Sequence, residues 1–146
     1  KRGWNPHQFV TFASLIGKES GNSAEKPMIA AVFYNRMKKG MHLQSDPTAV
    51  YDMKDFNGKV LRSHYRRESP YNTYMIKGLP PGPIANPGLD SFRAVLNPAA
   101  VDYLFFVSQR DGTHFFSSSL EAHNEAVLYF RNNIANPNEH EHETTQ

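Results

Sequence analysis

Apolar residues recur at helical spacing in the N-terminal part of the chain. Asn5-Pro6 is typical of a helix start, and Phe9, Phe12 and Ile16 follow at intervals of three and four, up to about residue 20. A second helix is predicted from about residue 22 to Gly40, because a glycine after two lysines is typical of a helix end. The spacing therefore predicts two consecutive helices.

Proline-containing pairs indicate two further helix starts. Asp46-Pro47 predicts a short helix with Asp46 as its cap, and Asn86-Pro87 predicts another. Residues 59–88 are predicted to be mostly loop, because prolines and glycines alternate over 70–88, a pattern that is incompatible with long regular elements. Because this segment also carries several aromatic and aliphatic side chains, we expect an ordered binding loop rather than a disordered one.

The C-terminal part predicts a β-hairpin followed by a helix. Strands at 103–108 and 113–118 flank Asp111-Gly112, a pair that is favoured in tight turns. Ser118 and Glu121 have the spacing of a capping box and predict the last helix. Together the patterns favour an α+β domain, with helices packed around a small antiparallel sheet. We expect this domain to cover residues 1–135, followed by a disordered tail over 136–146 that has nothing to bury.

Composition narrows the function classes. The chain has 146 residues, no cysteine and a formal net charge of +2. This length supports one packed core, and the absence of cysteine excludes disulfides, thiol nucleophiles and cysteine-bound zinc. The basic residues form no stripe, so we expect no nucleic-acid partner, and no apolar run approaches the ~20 residues that span a bilayer. Since the chain starts at Lys1, we expect a fragment or a processed form.

Glu19 is the candidate for acid–base chemistry. It follows Leu15 by four residues and Ile16 by three, which places it on the apolar face of the first helix. A carboxyl at the edge of such a face is partly desolvated; its pKa therefore rises and it can act as a general acid, as cleavage of a glycosidic bond requires. Alternatively, Glu19 extends into water or pairs with Lys18 or Lys26. The pattern alone leaves both interpretations open.

The other titratable residues define no equally good site. Asp46 is explained as a helix cap, and no second carboxylate stands out as a partner for Glu19. His114 and His123 flank the hairpin and are interpreted as structural or substrate-side hydrogen-bonding groups. No metal-ligand spacing occurs on a single element, so we expect neither a metal nor another cofactor.

Aromatic and amide residues near the predicted loop suit a saccharide ligand. Tyr71 and Tyr74 lie close in sequence to Asn72, and Gln44 precedes the short helix. Aromatic rings stack on the C–H faces of sugars, and amides bind hydroxyl and N-acetyl groups. The simpler interpretation is that these residues pack the loop, and the two roles are compatible.

Five segments carry a resemblance to a known family. In order, "KES", "AAVFYNRMKKGMHLQSDPTAVY", "SPYNTYMIKGLPPGPIANPG", "NPAAVDYLFFV" and "HFFSSSLEAHNEAV" closely resemble the catalytic domain of the endolytic murein transglycosylases, the MltG or YceG-like family. The match runs roughly from Phe9 to Tyr129. It implies a peptidoglycan lytic transglycosylase with a substrate cleft beside the first helix and an active-site logic similar to that of lysozyme.

The resemblance also implies roles for individual residues. Lys18-Glu19-Ser20 matches the Lys-Glu-small motif that holds the catalytic glutamate of the family, while Gly17 stands where relatives often have another acid. Glu19 is thus implied to be catalytic. The residues implied to bind substrate are Ser20, Gln44, Ser45, Asp46, Tyr71, Asn72 and Tyr74. Of these, Gln44 and Asn72 are expected to contact substrate or to orient Glu19.

The implied reaction cuts the bond between N-acetylmuramic acid and N-acetylglucosamine within glycan strands and leaves 1,6-anhydro-muramic ends, without a cofactor. Peptidoglycan strands are the implied partner, and peptidoglycan synthases are a further one. The resemblance also implies a parent protein anchored by an N-terminal membrane helix on the periplasmic side of the bacterial inner membrane, with the present part soluble. Two alternatives remain: a non-catalytic glycan-binding module that positions a cell-wall synthase, and a hydrolase that uses water.

Overall fold

The computed structural model describes residues 3–132, which form an α+β fold and so confirm the predicted class. Two short 3₁₀ turns lie at Ser23–Glu25, before the second long helix, and at Arg62–Arg66, within the long loop. The predicted disordered tail, 136–146, lies outside the described residues. The elements in chain order are α1 (Pro6–Glu19), α2 (Lys26–Lys38), α3 (Asp46–Val50), α4 (Leu89–Leu96), β1 (Phe105–Ser108), β2 (His114–Ser117) and α5 (Leu120–Asn132).

The start of α1 is fixed by a reciprocal cap. The Asn5 side chain accepts a hydrogen bond from the Gln8 backbone N–H at 2.8 Å, and the Gln8 side chain accepts one from the Asn5 N–H at 3.0 Å. Pro6 occupies the first turn, where its missing N–H costs nothing. The predicted first helix is therefore correct, and it ends at Glu19, one residue before the expected end.

The hydrophobic core lies between α1, α2, α4 and β1. Phe12 and Ile16 of α1, Phe33 of α2, Val95 of α4 and Phe106 of β1 are all 2% exposed or less. Burying side chains of this size contributes about 1.5–3 kcal/mol each, so this cluster supplies much of the stability that holds the end of α1 in place.

Close packing of α1 on α4 explains Gly17. A Cβ atom at this position would lie 3.1 Å from the Ser91 side-chain oxygen and 4.0 Å from the Pro87 backbone. A longer side chain would have to displace α4 or its N-terminal approach. Gly17 therefore allows the last turn of α1 to lie against the start of α4.

The hairpin is shorter than predicted. β1 and β2 pair antiparallel, with Phe105 opposite Ser117 and Ser108 opposite His114, whereas the sequence predicted 103–108 and 113–118. The expected capping box of α5 is wrong: the Ser118 hydroxyl donates to Asp102 at 2.7 Å, and Ser119 accepts from the Ala122 N–H at 3.1 Å. The cap is thus shifted by one residue.

Two predicted helix caps are also wrong. The residue before α3 is Ser45, so Asp46 lies inside the first turn, and α4 starts at Leu89 after Gly88 rather than at Asn86. In both cases the residue before the proline was expected to be the cap. The structure places Asp46 and Pro47 inside the first turn of α3, and it places Asn86 and Pro87 in the loop before α4. The segment between these helices is largely irregular, as expected, but it packs on α1: the Ile84 N–H donates to the buried Ser14 hydroxyl at 3.0 Å.

Candidate functional site

Glu19 ends α1 and is held by a residue far away in the sequence. The Ser45 hydroxyl donates a hydrogen bond to Glu19 Oε2 at 2.6 Å. The pKa of Glu19 is raised from 4.5 to about 8. Burial is the largest cause, and the negative charge of Asp46 is the second. The Ser45 hydrogen bond and the positive charge of Arg36 act in the opposite direction but are weaker. The carboxyl is therefore protonated at neutral pH, as a general acid must be.

Asp46 follows Ser45 and is not a helix cap. The Tyr74 hydroxyl donates to its Oδ1, and the Tyr65 hydroxyl donates to Oδ2 at 3.3 Å. The two tyrosine rings stack with centroids 4.4 Å apart, which fixes the positions of both hydroxyls. Burial raises the pKa of Tyr74, and the adjacent Asp46 carboxylate raises it further, so this phenol stays protonated. Asp46 is thus a second carboxylate beside Glu19, whereas the sequence pattern had explained it as a helix cap and the family resemblance had implied a substrate-binding role.

Two buried threonine hydroxyls and two backbone N–H groups join α3 to the tyrosine-containing loop. The Ser45 N–H donates to Thr73 Oγ1 at 2.9 Å, the Thr73 N–H donates to Thr48 Oγ1 at 3.0 Å, and the two threonine hydroxyls lie 2.7 Å apart. All three residues are fully buried. This contact fixes the position of the Ser45 hydroxyl against Glu19. Sequence reasoning missed both threonines, because nothing local indicates that the two segments meet.

Asn72 organises the loop from inside the protein. It is completely buried, and its side-chain nitrogen donates to three backbone carbonyls, those of His64, Tyr65 and Arg67, at 3.4, 3.2 and 2.8 Å. Its side-chain oxygen accepts from the Tyr74 N–H at 3.0 Å. The amide nitrogen thus has no proton left for a sugar. This geometry favours a scaffolding role over the direct substrate contact that was expected.

Arg36 is a buried cation behind the site and was not anticipated. It is 1% exposed; its Nε donates to the Leu104 carbonyl at 2.7 Å, and its Nη1 donates to the His42 carbonyl at 3.1 Å and to the Gln44 side-chain oxygen at 3.3 Å. Its Nη2 has no hydrogen-bond partner among the described residues. An arginine three and four residues after the buried Phe33 and Val32 could have indicated a cation on the inner face of α2.

The remaining predicted residues have different surroundings. Gln44 has a left-handed backbone conformation, with φ of 53°, and its side-chain oxygen accepts a hydrogen bond from Arg36. Ser20 is buried, follows the last residue of α1 as its C-cap, and its hydroxyl accepts a hydrogen bond from the Asn22 N–H at 3.0 Å. The Tyr71 ring packs on Tyr51 with centroids 4.8 Å apart. Ser45 therefore contacts Glu19 directly, and Asp46 with its partner Tyr74 lies next to that pair. Ser20 and Asn72 instead bond to the surrounding backbone.

A pocket of about 570 Å³ opens beside this cluster. Its wall includes Lys18 and Asp46, which are the chain neighbours of Glu19 and Ser45, together with the rings of Tyr51 and Phe56. Such a mixture of rings and charged groups suits a polar ligand with C–H faces. A pocket of about 770 Å³ on another face, between α2 and residues 98–103, contains none of the predicted site residues.

The two hairpin histidines have separate structural partners. His114 contacts Glu25 with its backbone N–H and with Nδ1, both at 2.8 Å. His123 stacks on Phe105 at 5.1 Å, and burial, aided by the charge of Arg36, lowers its pKa to about 4. Within residues 3–132, no cluster of three or more His, Cys, Asp or Glu side chains is arranged to hold a metal ion. No helix in that range is long and apolar enough to cross a membrane.

Fold and site together define a small α+β domain with one strongly desolvated carboxyl at the end of its first helix. The chain belongs to the YceG-like family, whose model matches residues 1–128, and this confirms the resemblance inferred from the motifs.

Comparison with individual proteins agrees with this assignment. The chain is 46% identical over 120 residues to the endolytic murein transglycosylase of Bacillus subtilis and 31% identical over 136 residues to that of Streptococcus pneumoniae. These matches cover 82% and 89% of this chain but only 33% and 25% of the relatives. A 2.6 Å crystal structure of a yceG-like protein from Listeria monocytogenes matches with a TM-score of 0.77 and 45% identity, over 82% of this chain and 39% of that one.

Proposed function

We propose that this domain is the catalytic part of a peptidoglycan lytic transglycosylase, with Glu19 as its acid and then its base. The observation that carries the proposal is the partly buried Glu19 carboxyl, anchored by Ser45, with its pKa raised to about 8. The names of the relatives from Bacillus subtilis and Streptococcus pneumoniae support the same activity. The chain spans about a third or less of these relatives, so the activity of the whole parent protein is part of the proposal.

In the first step, protonated Glu19 gives its proton to the oxygen that links muramic C1 to C4 of the following N-acetylglucosamine. The C1–O bond breaks, the glucosamine leaves with a free 4-hydroxyl, and positive charge develops at C1. The substrate's own N-acetyl oxygen lies next to C1 and supplies electron density there. Asp46, which the tyrosine hydroxyls hold beside Glu19, provides further negative charge near that centre.

In the second step, the Glu19 carboxylate removes the proton from the muramic C6 hydroxyl, and O6 bonds to C1. Glu19 is protonated again, the 1,6-anhydro ring is closed, and no water is consumed. One residue serves twice because the nucleophile belongs to the substrate. A pKa near 8 suits both tasks, since the group is protonated at rest and is a stronger base, once ionised, than an ordinary carboxylate.

The test compares Glu19→Gln with the native chain on isolated peptidoglycan and identifies the sugar ends by mass spectrometry. We expect anhydro ends from the native chain and none from the variant, with an unchanged fold. The matched control is Glu125→Gln, because Glu125 is an exposed acid on α5. Anhydro ends from Glu19→Gln at the native rate would reject the mechanism.

The same digest separates the alternatives. Reducing ends in place of anhydro ends would indicate a hydrolase. Binding of strands by the native chain without release of fragments would indicate a glycan-binding module. The extracytoplasmic location, the membrane anchor of the parent and a synthase partner remain predictions from the family resemblance.

A further inference from the structure

Lys18 is an exposed cation on the wall of the pocket beside Glu19. It lies in the last turn of α1, and in residues 3–132 its ammonium group makes no hydrogen bond or ion pair. Lys26 provides a contrast, because its ammonium pairs with Asp90 at 2.8 Å. A cation near a helix C-terminus has a general stabilising role, and Lys38 at the end of α2 fulfils it as well. Lys38 lines the pocket of about 770 Å³ that contains none of the predicted site residues, whereas Lys18 lines the pocket beside Glu19.

The carboxylate of Asp46, on the same wall, forms no ion pair with Lys18. Among the described residues of the wall Asp46 is the other charged one, and its two oxygens accept the hydroxyls of Tyr74 and Tyr65. The remainder is apolar or aromatic and includes Tyr51 and Phe56. A ligand that fits this wall places C–H faces on the rings and brings its own negative charge to Lys18.

We propose that Lys18 binds a carboxylate carried by the muramic side of the glycan strand. The proposal rests on the function proposed above and specifies which part of the substrate this pocket recognises. Muramic acid carries a lactyl group on C3, so an anionic group hangs from the same sugar whose C1 faces Glu19. Two sources share this chemistry: the lactyl carboxylate itself, which is free when the stem peptide has been removed, and a carboxylate of an attached stem peptide.

The expected contribution is modest, because Lys18 is exposed. Ion pairs of exposed side chains contribute little and are weakened by salt, which corresponds here to a roughly two- to fivefold change in KM or Kd. The charge acts on substrate binding and not on proton transfer, so kcat should stay constant. This split distinguishes substrate recognition from a general effect on the site.

The experiment measures KM and kcat for anhydro-end formation with the native chain, Lys18→Met, Lys18→Arg and Lys38→Met. The substrates are strands with stem peptides, strands from which an amidase has removed the stems, and the latter with their carboxyls converted to neutral methylamides. We expect Lys18→Met to raise KM on a charged substrate only, whereas Lys18→Arg and Lys38→Met retain the native KM. The charged substrate that responds, with or without stems, identifies the source of the carboxylate.

Binding in a Glu19→Gln background keeps this test independent of turnover. Lys18→Met added to that variant should weaken binding of the charged strands two- to fivefold and leave the methylamide strands unaffected. Equal Kd values for charged and neutral strands with Lys18 present would overturn the proposal. A native chain that forms no anhydro ends would instead reject the proposed function, while the binding comparison would still decide the role of Lys18.

Discussion

The raised pKa of Glu19 predicts that the residue proposed for catalysis destabilises the fold. In the unfolded chain this carboxyl ionises near pH 4.5, whereas in the folded chain it holds its proton until about pH 8. The folded state therefore binds more protons between these values, and the free energy of unfolding falls as pH rises. The loss is about 1.4 kcal/mol per pH unit, or about 3 kcal/mol at pH 7 and up to about 5 kcal/mol above pH 8.

Glu19→Gln removes this loss, because glutamine has the same shape and no charge. We expect the variant to match the native chain near pH 4.5 and to exceed it by about 3 kcal/mol at pH 7, and by more at pH 9. Urea unfolding at the three pH values measures the difference. Trp4, the single tryptophan, contacts Phe12 and Tyr34 and reports the transition by fluorescence. A difference of 3 kcal/mol shifts the midpoint by roughly 1–3 M urea.

The control for this experiment is Glu125→Gln, since an exposed acid should give no pH-dependent gain. A stability difference between Glu19→Gln and the native chain that stays constant from pH 4.5 to pH 9 would show that the carboxyl is not desolvated. The mechanism would then lose the property on which its acid step depends.

Three further changes test other parts of the site. Asp46→Asn removes the charge that raises the pKa of Glu19, so the high-pH limit of anhydro-end formation should move to lower pH, and an unchanged pH profile would contradict this role. Asn72→Ala removes four hydrogen bonds from a fully buried position and should lower the unfolding free energy by about 3 kcal/mol in urea titrations; a loss below 1 kcal/mol would argue against a scaffolding role. His123 has its pKa lowered to about 4 in the folded chain, so the unfolded chain binds more protons below pH 6.5, and stability should fall by up to about 3 kcal/mol as pH drops from 6.5 to 4. His123→Phe should flatten this acid limb, and an equally steep limb in the variant would show that other groups cause it.

The helices could be predicted because their determinants are local. The reciprocal cap of Asn5 and Gln8, the apolar spacing of α1 and the glycine after α2 all lie within a few residues of what they specify. The placement of Glu19 on the apolar face follows from the same spacing. These elements are therefore specified by short stretches of sequence.

The rest of the site depends on contacts between distant segments. Asp46 was assigned to capping because Asp-Pro is a common helix start, but Tyr65 and Tyr74 reach it from the loop, and the Ser45 hydroxyl spans 26 positions to Glu19. No periodicity reports such contacts, since they arise only when the loop packs on α1 and α3. Arg36 differs in this respect, because its spacing from Val32 and Phe33 carried a local signal for its burial, although its partners Gln44 and Leu104 lie in other segments.

The buried hydrogen-bond network of Ser45, Thr48 and Thr73 has a consequence for the proposed proton transfer. These side chains do not ionise in the range where Glu19 exchanges its proton, and they are shielded from solvent. In the reaction proposed for Glu19, the charge of these three side chains is therefore the same before and after each proton transfer. The surroundings of the carboxyl then need little rearrangement between the two steps of that reaction.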